Sequence, residues 1–225
     1  MTTKARKSRG VQRRRTTPTP EPSSRTGLLI GAGVVAVIIV AAIAAIALSG
    51  GGGGGGRSEP ASDPIGITGT PLATLPTSGT DPAVGQVIPT LSGTDLAGEP
   101  MTIGPDDGPM AIAILAHWCP HCQAEVPVLV DYLSSTGMPD GVRLVGLSTS
   151  INRTQPNYPP SAWLEREGWT APTMTDDASS SALGALGVRN FPGFVFVDGD
   201  GRVVQRATGE ISAAAFDQAV NALAP

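Results

Sequence analysis

Cysteine is nearly missing from this 225-residue chain: Cys119 and Cys122 are the only two. No second pair exists to complete a four-thiolate zinc site, and the folded part must rest on a hydrophobic core without extra disulfides. Histidine is equally scarce, with His117 and His121 alone, both beside the cysteines. A site built from two thiolates and these two imidazoles stays open, although the spacing is compressed relative to tetrahedral Cys₂His₂ sites. Haem attachment needs a histidine directly after the second cysteine, and Gln123 stands there instead. From Arg57 onward there is no lysine, and seven arginines face eighteen acidic residues, a formal charge of −11. Such a surface disfavours nucleic acid and anionic headgroups and biases encounters towards basic or neutral partners. A generic solvated acidic face accounts for it equally well.

What is present divides the chain unevenly. Residues 1–27 carry eight of the fifteen basic residues with several Pro, Ser and Thr, the composition of a disordered tail. Leu28 to Leu48 is an apolar stretch of 21 residues without a charged side chain. As a helix it spans about 31 Å, against a hydrocarbon core of roughly 30 Å. The cationic flank then leaves the tail in the cytoplasm and the rest of the chain outside. A cleaved signal peptide is the competing reading, with Ala45-Ile46-Ala47 as a small-x-small site, but the apolar core is longer than such peptides carry. Either reading exports the domain. Seven consecutive glycines, Gly50 to Gly56, open a Gly/Ser/Thr/Pro-rich stretch, and residues 49–82 read as a flexible linker with a mean reach of about 30 Å. One folded domain is expected over residues 83–225.

Within it the two cysteines follow a turn at Asp106-Asp107-Gly108-Pro109 and a six-residue apolar run, Met110 to Leu115, fit for a buried strand. An amphipathic helix pattern starts near Pro120. Cys119 therefore falls at a helix N-terminus, where unpaired N–H groups and the helix dipole stabilise an anion such as a thiolate. The expected picture has Cys119 at the solvent-accessible edge and Cys122 one turn inward. A nucleophilic thiol with a second thiol in reach is what disulfide exchange requires. A structural disulfide would also satisfy the spacing.

The segment Trp118-Cys119-Pro120-His121-Cys122 resembles the active site of the thioredoxin superfamily. The following Glu125-Val126-Pro127 is similar to the Cys-x-x-Cys-x-x-Glu-x-Pro arrangement of its membrane-anchored TlpA/ResA/CcmG-like branch. The resemblance implies an α/β, thioredoxin-like fold with a central mixed sheet flanked by helices, plus one N-terminal transmembrane helix. It also implies a redox-active Cys119–Cys122 pair as the sole redox centre with no further cofactor or metal, and Glu125 handling the proton of Cys122. On spacing alone Glu125 could equally be a solvated helix carboxylate. Pro192, in Phe191-Pro192-Gly193, matches the cis-proline that lies against the cysteines in such folds, and Phe191 takes a place usually held by Thr or Val. Only X-Pro bonds adopt cis cheaply, and a proline offers no N–H where the chain passes the sulfurs. Trp118, Pro120, His121, Phe191 and Pro192 are thus the expected residues of active-site tuning and substrate docking. Ala113 departs from the pattern, since thioredoxins bury an aspartate six residues before the first cysteine.

The remaining chain reads as follows. Val84 to Leu91 and the segment to Ile103 suggest a hairpin; the helix from about 120 to 135 contains Pro127, which should kink it. Val142 to Ser148 is expected as a strand parallel to 110–115, since a helix separates the two. Residues 150–160 are loop. Ser161 to Gly168 is a short helix with Ser161 as N-cap candidate, Thr170 to Asp177 holds a brief strand, and Ser179 to Leu186 forms a helix stopped by Gly187. Asp198-Gly199-Asp200-Gly201 is a hairpin turn; its calcium-loop look lacks the downstream bidentate Glu. Ser212 caps a last helix with Ala215, Phe216, Ala219, Val220 and Leu223 on one face.

These readings converge on a thiol-disulfide oxidoreductase tethered to the cell membrane, its domain outside the cytoplasm. Expected partners are protein thiols or disulfides outside the cytoplasm, a membrane or extracytoplasmic redox partner, and the lipid bilayer through residues 28–48, with no nucleic acid. Direction is balanced: the Glu125-Val126-Pro127 context resembles reductants, whereas the Pro120-His121 pair resembles DsbA-type oxidants, and the longer motif tips the reading to reductase. A DsbA-like oxidase or a non-catalytic tethered binding module with the same fold are the alternatives.

Overall fold

A computed structural model describes residues 63–224. The expected tail 1–27, the expected span 28–48 and the expected linker up to residue 62 lie outside the described residues. Among those described, no helix is long and apolar enough to cross a membrane.

The domain is an eight-stranded mixed sheet flanked by helices. Strands are β1 (Gly66–Thr68), β2 (Thr90–Asp95), β3 (Pro100–Ile103), β4 (Met110–Leu115), β5 (Arg143–Ser148), β6 (Thr173–Thr175), β7 (Gly193–Val197) and β8 (Val203–Thr208). Helices are α1 (Pro120–Ser135), α2 (Pro160–Arg166), α3 (Ser181–Ala185) and α4 (Ala213–Asn221). The sheet order is β1-β2-β6-β5-β4-β7-β8, with β3 paired to β2. β4 pairs in parallel with β5, Ile112 opposite Val145, and antiparallel with β7, Ile112 opposite Val195. The β4-α1-β5 crossover is thus the expected βαβ unit.

Because β4 is central, both of its faces are covered, and all six residues are buried. This is why it reads as an unbroken apolar run. Ala111, Ala113 and Leu115 face a core that includes Cys122, Val126 and Leu129 of α1 and Phe216 and Val220 of α4. Met110, Ile112 and Ile114 face the other core, with Val145, Leu147, Met174 and Ala182. The two-residue period of a strand makes this division. Phe194, Phe196 and Phe216 pack together, with ring centroids 6.1 to 6.2 Å apart.

Four sequence expectations are corrected. Residues 63–82 are not linker: β1 pairs antiparallel with β2, Ile65 and Leu72 are buried, and the Leu72 and Leu75 N–H groups donate to Ala185 and Gly187 carbonyls at 2.8 Å. The folded part therefore begins some twenty residues before Ala83. The first hairpin is β2-β3, closed by Asp95, whose Oδ1 accepts from the Ala97 and Glu99 amides; Val84 to Ile88 lies instead beside the start of β8, with Val87 bridged to Arg202 and the Gly85 N–H on Val203 O at 2.8 Å. The N-cap of α2 is Pro159, not Ser161, which sits inside the first turn. Ala215 is exposed, so the buried face of the last helix is Phe216, Ala219, Val220 and Leu223, while Ser212 caps it through Ala215 N–H as expected. Helix α1 runs on past Pro127 to Ser135.

A buried ion pair fastens the N-terminal segment. Arg206 on β8 donates to both oxygens of Asp81, with Nε at 2.9 Å from Oδ2, and to the Leu186 carbonyl at 2.8 Å. Next to it Gly187 has φ +68, and a Cβ there would run into the Ala73 carbonyl and the guanidinium. Only glycine fits that crossing. The Asp198–Gly201 turn is held by its own acid: Asp198 Oδ1 accepts from the Asp200 and Arg202 amides at 3.0 and 2.9 Å, an Asx turn that accounts for the acidic residue.

Candidate active site

The cysteines stand where β4 ends and α1 begins. Cys119 is the N-cap of α1, in extended conformation, with Pro120 at the first helical position. Proline suits that position because its missing N–H would have had no helical partner. The Cys119 N–H turns back on Ala116 O at 3.0 Å, and Gln123 N–H closes the first helical turn on Cys119 O at 3.0 Å. One turn on, Cys122 is fully buried and its Sγ accepts from the Ala116 N–H at 3.4 Å. Both cysteines are free thiols.

Cys119 is buried at 7 % exposure, which corrects the expected solvent-accessible edge. Its cover is Phe191 and Trp118, whose rings meet edge to face at 6.1 Å, and its Sγ lies 3.8 Å from the Phe191 carbonyl. The Phe191–Pro192 peptide is cis, and the loop that precedes β7 thus lies against the outer cysteine. Trp118 is fixed from behind by its indole N–H on Ser150 O at 2.7 Å.

The site is strongly graded in proton affinity. Burial pushes the Cys122 thiol well above its ordinary range; the Ala116 N–H works against this, and the neighbouring Cys119 and Glu125 add to it. Cys122 therefore keeps its proton until something takes it. Glu125, one turn further along α1, is 1 % exposed and packs on the buried face with Cys122 and Val126, which excludes the solvated alternative. Its Oε2 accepts the Ile211 N–H at 2.8 Å, while Oε1 is buried without a partner. Burial raises this carboxyl to about 7, with the Ile211 hydrogen bond opposing and the Glu210 charge assisting. A carboxyl poised there can both take and return a proton near neutrality.

The two histidines part company. His121, between the cysteines, is exposed and pairs through Nδ1 with Glu210 Oε1 at 2.6 Å. His117 is fully buried and has spent both ring nitrogens: Nδ1 lies 2.8 Å from Pro156 O, and Nε2 accepts the Asn152 N–H at 3.2 Å. That arrangement needs the neutral imidazole with its proton on Nδ1, and burial, partly offset by the Pro156 bond, lowers its pKa. His117 is a peg for the 150–158 loop and has no lone pair left for a metal. Three further residues of the site went unread in the sequence: Ser150, Glu210 and Ile211. None carries a motif, and each acts through a loop position set by the fold.

Fold and site together define a class: a thioredoxin-like α/β domain presenting a Cys-x-x-Cys dithiol, flanked by a cis-proline loop and a buried carboxyl. The family model described as Redoxin matches residues 83–223. The chain belongs to this redoxin family, as a thiol-disulfide oxidoreductase with the pair Cys119–Cys122. Among solved structures it is similar to a DsbF homologue from Corynebacterium diphtheriae, at 18 % identity over 69 % of this chain and 100 % of that one, TM-score 0.56. It is also similar to a thioredoxin-family thiol:disulfide interchange protein from Chlorobium tepidum, at 23 % identity over 62 % and 96 %, TM-score 0.51. The thioredoxin domain of a thiol-disulfide oxidoreductase from Bacteroides vulgatus matches at 18 % identity over 64 % and 99 %, TM-score 0.51. At these identities the shared property is the fold.

Proposed function

We propose that the chain is a membrane-tethered, extracytoplasmic dithiol reductase, anchored by residues 28–48, in which Cys119 is the nucleophile, Cys122 the resolving thiol and Glu125 its proton acceptor. The observation that carries the reading is the vertical order of the site: Cys119 under the Phe191 carbonyl, Cys122 one turn beneath it, and a half-unpartnered carboxyl on the same helix face. The Cys119 sulfur attacks one sulfur of a partner protein's disulfide, forming a mixed disulfide and releasing the other sulfur as thiolate. Cys122 then gives its proton to the Glu125 carboxylate and attacks the Cys119 sulfur. The bond between Cys119 and the partner breaks, the partner's two thiolates take up the protons shed by Cys119 and, through Glu125, by Cys122, and Cys119–Cys122 becomes the disulfide, two electrons having passed to the partner. A dithiol donor in the membrane or outside the cytoplasm must return them. Trp118, Pro120, His121, Phe191 and Pro192 frame the sulfur and shape the docking surface.

What supports reduction over oxidation is the Glu125-Val126-Pro127 context after the cysteines, which resembles that of reductants; the proton-holding Cys122 beside Glu125 serves the resolving step in either direction. The test uses residues 57–225 with an insulin disulfide and, separately, a reduced protein substrate. Reduction by the parent, its loss in Cys119→Ser, and accumulation of a covalent adduct by Cys122→Ser in mass spectrometry are expected. Faster oxidation than reduction would reverse the direction, and a parent inert in both assays would leave a binding module.

A further inference from the structure

Three consecutive residues between β8 and α4 touch three points of the site, one at Pro192 before β7 and two on successive turns of α1. Gly209 N–H donates to the Pro192 carbonyl at 2.9 Å, Glu210 Oε1 holds His121 Nδ1 at 2.6 Å, and Ile211 N–H donates to Glu125 Oε2 at 2.8 Å. Ile211 also packs its side chain on the core beneath α1, and Gly209 has φ +88, which lets the strand turn sharply into the loop. Of the three loop residues only Glu210 makes its contact with a side chain, and it is the exposed contact, with His121 at 70 % and Glu210 at 51 % side-chain exposure. The other two are donated by the loop's backbone N–H groups, whose placement depends on where the loop is pinned.

We propose that Glu210 is a positioning residue of the dithiol reaction: by clasping the histidine between the cysteines it fixes the Gly209–Ile211 loop and so the hydrogen bond and charge that Glu125 experiences. The inference rests on the reading of Glu125 as the proton acceptor and deepens it. Pinning and charge act together. The Ile211 N–H favours the ionised carboxyl, and the adjacent Glu210 carboxylate disfavours it, so one loop residue sets both opposing influences on the buried group. The other titratable group beside Glu125 is Cys122 on α1; on α4, Asp217 is engaged by the Tyr132 hydroxyl at 2.9 Å, and on β8, Arg206 is taken up by Asp81. Glu210 is thus the outward lever on the site. Docking of a partner over His121 would disturb the clasp and with it the proton on Glu125.

The test compares Glu210→Gln, which keeps an acceptor for His121 and removes the charge, with Glu210→Ala, which removes both. Full-length reduced protein in detergent micelles, labelled at the Glu carboxyl carbons, gives the Glu125 titration, with Glu125→Gln assigning the signal. Glu210→Gln is expected to move the Glu125 midpoint to the acid side by about half a pH unit, the size of one partly screened charge, whereas in Glu210→Ala the weakened Ile211 hydrogen bond works against the lost charge and the midpoint should lie above that of Glu210→Gln. Only Glu210→Ala is expected to speed exchange of the Ile211 amide, by about tenfold. An unmoved midpoint in Glu210→Gln, or an Ile211 amide equally protected in Glu210→Ala at matched thermal stability, overturns the proposal. If the alanine variant does not fold, the glutamine titration alone decides. Neither readout needs turnover, so an inert enzyme and an uncoupled loop are told apart. In an active enzyme the pH profile of disulfide reduction should follow the same displacement.

Discussion

Glu125→Gln is expected to change how stability depends on pH, in a direction opposite to the usual carboxylate. Its folded value, raised by burial from 4.5 to about 7, means that the folded state holds a proton the unfolded chain has already lost. Below about pH 4.5 both states are protonated and the carboxyl carries no penalty. As pH rises through the folded value the stability of the protonated form is lost, and linkage puts the total at about 3 kcal/mol. The side chain is 1 % exposed, so solvent screening takes little of this away. Glutamine can accept the Ile211 N–H, but its amide nitrogen would stand where Oε1 has no partner, a constant cost of about 1–3 kcal/mol. The variant should be the less stable protein at about pH 5 and equal to or more stable than the parent at about pH 8.5. Denaturant unfolding of both reduced proteins at the two pH values measures it. The difference between parent and variant is the quantity to follow, because His117 and Asp176 titrate in both proteins and cancel. A difference that is the same at both pH values would refute a carboxyl protonated by burial and, with it, the proton-acceptor role.

Two other outcomes are expected. Asp81→Ala removes the partner of a guanidinium that is fully buried and should cost about 3–5 kcal/mol; it should also free the Leu72 and Leu75 amides to exchange ahead of the sheet, and their unchanged protection would show that Ile65 and Leu72 suffice. His117→Ala strips the Pro156 carbonyl and the Asn152 amide of their ring partners, for about 2–4 kcal/mol, and by loosening the loop should speed tryptic cleavage after the already exposed Arg153, where a parent-like cleavage rate would contradict the peg. Acid should act in the same sense, since the depressed pKa of His117 means that its contribution, present above pH 6.5, is lost as pH falls through its folded value.

The dithiol centre was legible because its chemistry is local: two cysteines three apart, an apolar run before them and a helix period after them fix the strand, the N-cap and the inward face without reference to the rest of the chain. Glu125 lay on the right face by spacing, but only the packing of Phe216 and Val220 against α1 shows why it is buried. The strand at Gly66–Thr68 could not be read, since it is three residues long, exposed, and held by backbone bonds to β2 with single anchors at Ile65 and Leu72. Its Gly/Thr/Pro neighbourhood looks like linker because order there comes from a partner strand and from Arg206, more than a hundred residues away. The burial of Cys119 was hidden for a related reason: the Phe191 and Trp118 side chains that cover it are brought together by the 150–158 loop and the β7 approach. Asp176 is a further case, a buried carboxylate receiving Thr149 Oγ1 at 2.6 Å and the Ala182 and Leu183 amides, which joins the end of β5 to the start of α3 through contacts no spacing announces.

The order of the sheet has a practical corollary. β1 lies on the same side of β2 as β6: Leu91 and Ser92 pair with β1 and, across the strand, with β3, while Thr94 pairs with β6 and, across the strand, with β3. β1 therefore continues the row of β6 past its C-terminal end, two strand steps of about 4.8 Å from β4 and at the end of the sheet where the sulfurs sit. A surface, resin or fluorophore attached ahead of Asp63 would load the reactive end of the sheet, and a long spacer is what would keep the sulfurs open to an incoming protein.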